Sequence, residues 1–254
     1  MNRRPDALLL DLDDTILDDS GSTDLYWRGA IDAHRAELGA IEPETLHAAI
    51  VRARRWFWGD PERHRTGRLD LGAARAEVAR LALAELGIGA GGGAGAGDGD
   101  GDGAPTLAAS IARDYAARKE ASIAPLEGAI ETVRWFRESG CRMALLTNGS
   151  AAAQTAKIER FGLAAYFDVV LIEGAVGYGK PDPRIYDLAL ERLDAAPDAA
   201  WMVGDNLDWD VAGPQRAGIR AVWVDRRGTG LPDAHPVRPD RIVRALSELR
   251  AAFD

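Results

Sequence analysis

The chain has 254 residues, a length at which one large or two unequal domains bury an ample core without disulfide or metal staples. Lys plus Arg is 31 against 40 Asp plus Glu, a formal net charge of −9, which argues against a dominant sequence-independent nucleic-acid footprint, since that needs a basic face. A single cysteine, Cys141, excludes an intrachain disulfide and a cysteine-built zinc site, and the histidines stand scattered at 34, 47, 64 and 235.

The first apolar run, 7–10, is too short for a signal-peptide core, and no run approaches the roughly eighteen apolar residues of a membrane span. A cytoplasmic protein with no membrane partner is expected. Residues 7–10 fit a buried strand. The next segments, 24–38, 43–56, 71–86 and 107–121, carry helical periodicity with many Ala, Arg and Glu. Between the last two lies a glycine-rich stretch, 89–105, expected as a flexible loop. It opens like a calcium loop at Asp98, Asp100 and Asp102, but Ala109 stands where the bidentate glutamate belongs.

From 122 onward strands and helices alternate. Helices are expected at 129–139, 151–161, 182–193, 208–217 and 240–252, and strands at 142–146, 168–172, 200–203 and 220–224. Near-continuous apolar strands separated by helices imply a parallel α/β sheet covered on both faces. The expected organisation is an α/β core of residues 1–19 and 122–254, interrupted by an all-helical domain of residues 20–121. In such sheets ligands sit beyond the carboxyl ends of the strands.

Chemistry-bearing residues collect at those ends. Asp11 and Asp13 follow the first strand; two apart, they share a face if the strand continues. Paired carboxylates split their pKa values, which suits a nucleophile beside a general acid. Thr147, with Asn148, ends the second strand where a helix N-terminus offers N–H groups to an anion. Lys180 sits in Gly179-Lys180-Pro181, which is not a Walker loop because no Ser or Thr follows the lysine. Asp205 directly follows the fourth strand behind Gly204, a costly place for an acid that binds nothing, and Asp210 comes five residues later.

Asp11-Leu12-Asp13-Asp14-Thr15, Thr147, Lys180, and Gly204-Asp205 with Asp210 together resemble the four motifs of the haloacid dehalogenase superfamily. The helical insert resembles that superfamily's C1-type cap. The resemblance implies a Rossmann-like parallel sheet in the order 3-2-1-4-5 with an inserted all-helical cap. It implies a Mg²⁺-dependent phosphatase acting on a small phosphorylated metabolite, such as a sugar phosphate, sugar-acid phosphate or nucleotide. By position, Asp11 would be the nucleophile and Asp13 the general acid and base. Thr147, Asn148 and Lys180 would bind the phosphoryl group, and Asp11, Asp13 (through its backbone carbonyl) and Asp205 would hold Mg²⁺. Asp210 and Thr15 would support them. Alternatives on the same scaffold are a phosphomutase or a carbon–halogen hydrolase. The superfamily's dehalogenases lack the second aspartate of the first motif, and Asp13 is present. Non-enzyme alternatives are a phospho-accepting receiver and a silent binding module. In the helical insert, Arg54, Arg55, Trp58 and His64 are the specificity candidates, though the same rings and cations also fit a helix–helix contact.

Overall fold

The computed structural model describes residues 4–88, 105–233 and 236–253. It divides into two compact units, Met1–Asp19 with Ala124–Asp254, and Ser20–Ile123. The glycine-rich stretch, with its calcium-loop lookalike, lies outside the described residues except for Pro105.

The first unit is built on a six-stranded parallel sheet. Its strands are β1 (Ala7–Leu10), β2 (Arg142–Thr147), β3 (Val169–Ile172), β4 (Ala200–Gly204), β5 (Arg220–Val224) and β6 (Arg241–Val243), in spatial order β3-β2-β1-β4-β5-β6. Every pairing is parallel, with Leu10 of β1 in register with Leu145 on one side and Val203 on the other. β1 lies at the centre, and all four of its residues are buried. That explains its unbroken apolar run: both faces are covered by helices, so no position is free to be polar. Crossover helices α1 (Ala129–Glu138), α2 (Ala151–Arg160) and α3 (Pro183–Leu193) return the chain between strands. One core layer packs Leu9, Leu146, Leu171 and Met202 of the sheet against Ile185, Tyr186 and Leu190 of α3.

The strand order 3-2-1-4-5 stands, with a sixth strand added at the β5 edge. That strand replaces part of the helix expected at 240–252, which forms only over Glu248–Phe253. The spacing of Ile242, Leu246, Leu249 and Phe253 mimics a helical face. The local pattern instead alternates, with Val243 buried and Ile242 45% exposed. Asp240 fixes the pairing: its N–H donates to Ala221 O at 2.9 Å and its carboxylate accepts the Ala221 N–H at 2.9 Å. Sequence reading also missed a two-residue antiparallel ladder, in which Leu17 pairs with Pro125 and Asp18 with Ala124.

Among its described residues the second unit is all-helical. Helices Thr23–Ala33, Pro43–Trp58, Leu71–Glu85 and Leu107–Ser122 share a core containing Trp27, Ile31, Leu46, Ile50, Val78, Ile111 and Tyr115. Buried alanines at 49, 53, 74, 79, 82, 108 and 112 let these helices approach closely. The segment expected as one helix over 24–38 breaks at His34 and finishes as a 3₁₀ turn, Arg35–Leu38. A short helix, Pro61–Gly67, was not anticipated; Asp60 caps it by accepting the Arg63 N–H at 2.8 Å. Among the described residues no helix is long and apolar enough to cross a membrane.

Candidate active site

β1 ends at Leu10, but the Asp11 N–H still donates to Val203 O at 3.0 Å, so Asp11 leaves the sheet tied to β4. The chain then coils tightly. The Ile16 and Leu17 N–H groups both reach Leu12 O, at 2.9 and 3.0 Å. Asp14 takes a left-handed φ of 62°, a conformation that aspartate tolerates better than most residues. Leu12, Ile16 and Leu17 are fully buried beneath this turn and anchor it.

The Asp11 carboxylate is nearly buried and held at both oxygens. Thr15 Oγ1 donates to Oδ2 at 3.1 Å, and Lys180 Nζ donates to Oδ1 at 2.6 Å. The same ammonium donates to Asp210 Oδ1 at 2.6 Å, and Asp210 also accepts the Asn206 N–H at 3.0 Å. Burial pushes the Asp11 carboxyl well above its ordinary range; Lys180 opposes this, while Asp210 and Asp205 add to it. For Lys180, burial disfavours the ammonium, but Asp11 and Asp210 outweigh it and keep the lysine charged. Gly204 makes room for this arrangement: a Cβ there would lie 2.2 Å from Asp210 Cγ.

Asp205 follows β4 and is partly buried. Its carboxyl is pushed up to about 7, first by burial and then by Asp210 and Asp14. Carboxylate oxygens of Asp11, Asp205 and Asp210 all lie within 4.8 Å of one another. Lys180 offsets only one of these three charges. Hard anionic oxygens crowded in this way suit Mg²⁺ or Ca²⁺, and not a soft metal.

Asp13 stands apart from these partners. The spacing expectation that Asp11 and Asp13 share a strand face fails because the strand stops at Leu10. Asp13 Oδ1 accepts from Lys157 Nζ at 2.7 Å, and Oδ2 accepts from Gln154 Nε2 at 2.9 Å. Lys157 also reaches Asp19 Oδ1 at 2.7 Å. Burial raises the Asp13 pKa, Asp19 adds to it, and Lys157 and Gln154 draw it back. Both contacts come from α2, and sequence reading singled out neither residue. They lie three apart on one helix face, a spacing that a surface lysine and glutamine commonly show.

Thr147 closes β2 and is 3% exposed, and Gln154 donates to its hydroxyl at 2.5 Å. α2 follows at once, with Ser150 Oγ accepting the Ala153 N–H. The Asn148 side chain is committed to the lysine loop: its Nδ2 donates to Lys180 O at 2.7 Å and its Oδ1 accepts the Lys180 N–H at 2.8 Å. Asn148 therefore locks the position of Lys180. Buried Glu173, also missed in the sequence, accepts the Gly149 N–H at 3.0 Å.

The helical unit has a cavity of about 180 Å³, with Trp27, Arg54, Trp58, Arg75, Tyr115 and Lys119 among its lining residues. Arg54 and Trp58 were expected; Arg55 and His64 are not in the lining, and His64 packs edge-on against Trp58 with ring centroids 5.5 Å apart. Arg54 is paired with Asp24 at 2.8 Å, and Trp27 stacks on Tyr115 at 4.1 Å.

The family model described as haloacid dehalogenase-like hydrolase matches residues 5–218. The chain is 49% identical over 114 residues to a phosphoserine phosphatase of Thermus thermophilus, a match covering 44% of this chain and 45% of that protein. The matched segment thus spans less than half the length of that relative. Among solved structures, the HAD-hydrolase YfnB of Bacillus subtilis, bound to magnesium, superposes with a TM-score of 0.70 at 19% identity over 100% of both chains. A 2-haloacid dehalogenase of Pseudomonas syringae superposes with a TM-score of 0.63 at 27% identity, covering 100% of this chain and 98% of that one. The chain belongs to the haloacid dehalogenase-like hydrolase family.

Proposed function

We propose that the protein is a Mg²⁺-dependent phosphatase of a small phosphorylated metabolite, working through an aspartyl-phosphate. The observation that carries this reading is the buried Lys180 ammonium, 2.6 Å from both Asp11 and Asp210, beside a carboxylate cluster with excess negative charge. The phosphoserine phosphatase relative supports phosphoryl chemistry. Asp13 favours it over the carbon–halogen chemistry of the dehalogenase neighbour, because phosphoester cleavage needs a proton donor for the leaving oxygen.

Asp11 attacks phosphorus as the bond to the leaving oxygen breaks, and Asp13 delivers a proton to that oxygen. A water molecule then attacks the phosphorus of the acyl phosphate and gives its proton to Asp13. Inorganic phosphate leaves and the Asp11 carboxylate is restored. Lys180, the Thr147 hydroxyl and the amides opening α2 bind the phosphoryl oxygens. Mg²⁺ would be held by Asp11 and Asp205 with the Asp13 backbone carbonyl, and supplies positive charge against the incoming phosphate. Without it, a carboxylate meets a dianion beside further acids, and each unit-charge pair near 4 Å costs roughly 4 kcal/mol at an effective dielectric of 20.

The test is hydrolysis of p-nitrophenyl phosphate with Mg²⁺, with excess chelator, and by Asp11→Asn, alongside halide release from 2-chloropropionate. Turnover of the ester that needs both the metal and Asp11 is the expected result. Activity in chelator, or halide release without ester hydrolysis, defeats the proposal.

A further inference from the structure

The turn after β1 carries more acid than the phosphatase reading uses: Asp14, Asp18 and Asp19 join Asp13 within seven residues. Two cations answer them. Arg226 Nη1 pairs with Asp14 Oδ1 at 2.8 Å and Asp18 Oδ1 at 3.2 Å. Lys157 Nζ pairs with Asp13 and Asp19, each at 2.7 Å. The two ties have the same form, but only Lys157 touches the carboxylate that moves protons.

We propose that Lys157 is a positioning residue for Asp13, a role that rests on the phosphatase reading. Asp13 lies past the end of β1, outside the six-stranded sheet, with a lone β-bridge to Leu17 on its backbone. A group that gives a proton to the leaving oxygen and later takes one from water must keep its place through both steps. Lys157 holds Oδ1 and Gln154 holds Oδ2, so both oxygens are set from α2. The Lys157 side chain is 15% exposed and its second tie, to Asp19, fixes the ammonium itself. α2 is also the helix that starts just after Thr147, so one rigid element orients the proton donor and presents the N–H groups for phosphate. Losing Lys157 therefore lets Asp13 swing while the nucleophile, its lysine and the phosphate site stay in place.

A purely structural staple predicts a different result, because it would slow every substrate alike. The experiment compares p-nitrophenyl phosphate, whose leaving group departs without a proton, with phenyl phosphate, whose leaving group needs one. Lys157→Met is expected to lower kcat/KM, which reports the step that forms the aspartyl-phosphate, about tenfold or more for phenyl phosphate beyond its effect on p-nitrophenyl phosphate. Lys157→Arg should recover most of the loss. Arg226→Met, which cuts the matched tie without touching Asp13, should affect both esters equally. Thermal melts establish that each variant folds, and if Lys157→Met does not, Lys157→Gln answers the same question. An equal loss of kcat/KM on both esters, or none, overturns the positioning role and leaves the phosphatase reading intact. Failure of the wild-type protein to hydrolyse either ester overturns both.

Discussion

Lys180 Nζ lies 2.6 Å from Asp210 Oδ1, and both side chains are 1% exposed. A buried pair of this kind is costly to break from one side, because the surviving charge loses its partner inside the protein. Lys180 is shared with Asp11, so its removal strands two carboxylates. Lys180→Met is expected to destabilise the protein by about 3–5 kcal/mol in urea unfolding and to reduce turnover about 10²–10³-fold. Lys180→Arg should not restore turnover, since the larger guanidinium must fit where Lys180 is fully enclosed, whereas Lys157 is partly open to solvent. A Lys180→Met variant of wild-type stability would mean that the two acids are protonated or solvated without it.

The carboxylate cluster has a consequence for stability as well as for turnover. Asp11, Asp205 and Asp210 repel one another in the folded state, and a divalent cation relieves that repulsion. A ligand binding only the folded chain stabilises by about 2.7 kcal/mol at a hundred times its dissociation constant. Mg²⁺ should therefore raise the melting temperature of the wild-type protein, and Asp205→Asn should abolish most of the rise. An equal rise in both would place the ion elsewhere. This readout needs no substrate, so it tests the metal site independently of activity.

Asp11, Thr147, Lys180, Asp205 and Asp210 were legible only together: each local signal is moderate alone, but they recur in order at the carboxyl ends of successive strands. Asp11 and Asp205 follow unbroken apolar runs, Thr147 precedes a capped helix, and Lys180 sits between glycine and proline. Lys157 and Gln154 carried no such mark: on α2 they have the spacing of any polar helix face, and only the folded turn brings Asp13 to them. The reason for Gly204 was equally hidden, since it depends on where Asp210 returns six residues later. The sixth strand was misjudged because Ile242, Leu246 and Leu249 satisfy a helical period, whereas the ladder to β5 decides the outcome. In the helical unit, Arg75, Tyr115 and Lys119 come from two helices distant in sequence from Arg54, so composition clusters alone could not gather the cavity lining.

Gly204→Ala offers a steric test of the same site. The new methyl would meet Asp210 at 2.2–2.5 Å, so Asp210 must move or β4 must bend. Overpacking of this kind costs typically 1–3 kcal/mol. The expected outcome is a loss of stability in that range, together with a loss of turnover, because displaced Asp210 no longer anchors Lys180. A variant with normal kinetics would show that Lys180 holds its position through Asp11 and the Asn148 side-chain contacts to its backbone alone.

Cys141 is expected to be chemically silent. Its side chain is buried, its thiol donates to Pro5 O at 3.4 Å, and burial raises its pKa to about 12. At pH 8 only about one molecule in ten thousand then carries the reactive thiolate. Ellman's reagent should release no colour from the native protein within minutes and one equivalent after denaturation. Prompt native reaction would show that the β1 and β2 starts open readily.

His47 gives the helical unit a defined pH dependence. It is 7% exposed, and burial lowers its pKa, with Arg28 adding to the effect and Asp24 opposing it. The unfolded chain takes up a proton near pH 6.5, while the folded chain resists it. The unfolded state therefore binds more protons below that point, so stability is full above about pH 6.5 and falls as the pH drops. The slope for one such group cannot exceed about 1.4 kcal/mol per pH unit. Urea unfolding at pH 7.5 and 5.5 should show a loss in the wild-type protein that is smaller in His47→Leu, which cannot titrate. Leucine also removes a ring nitrogen, Nε2, that is buried without a hydrogen-bond partner, so the variant should gain on the wild type as the pH falls. Parallel losses in the two proteins would assign the pH dependence to other groups and leave His47 free to protonate in the folded state.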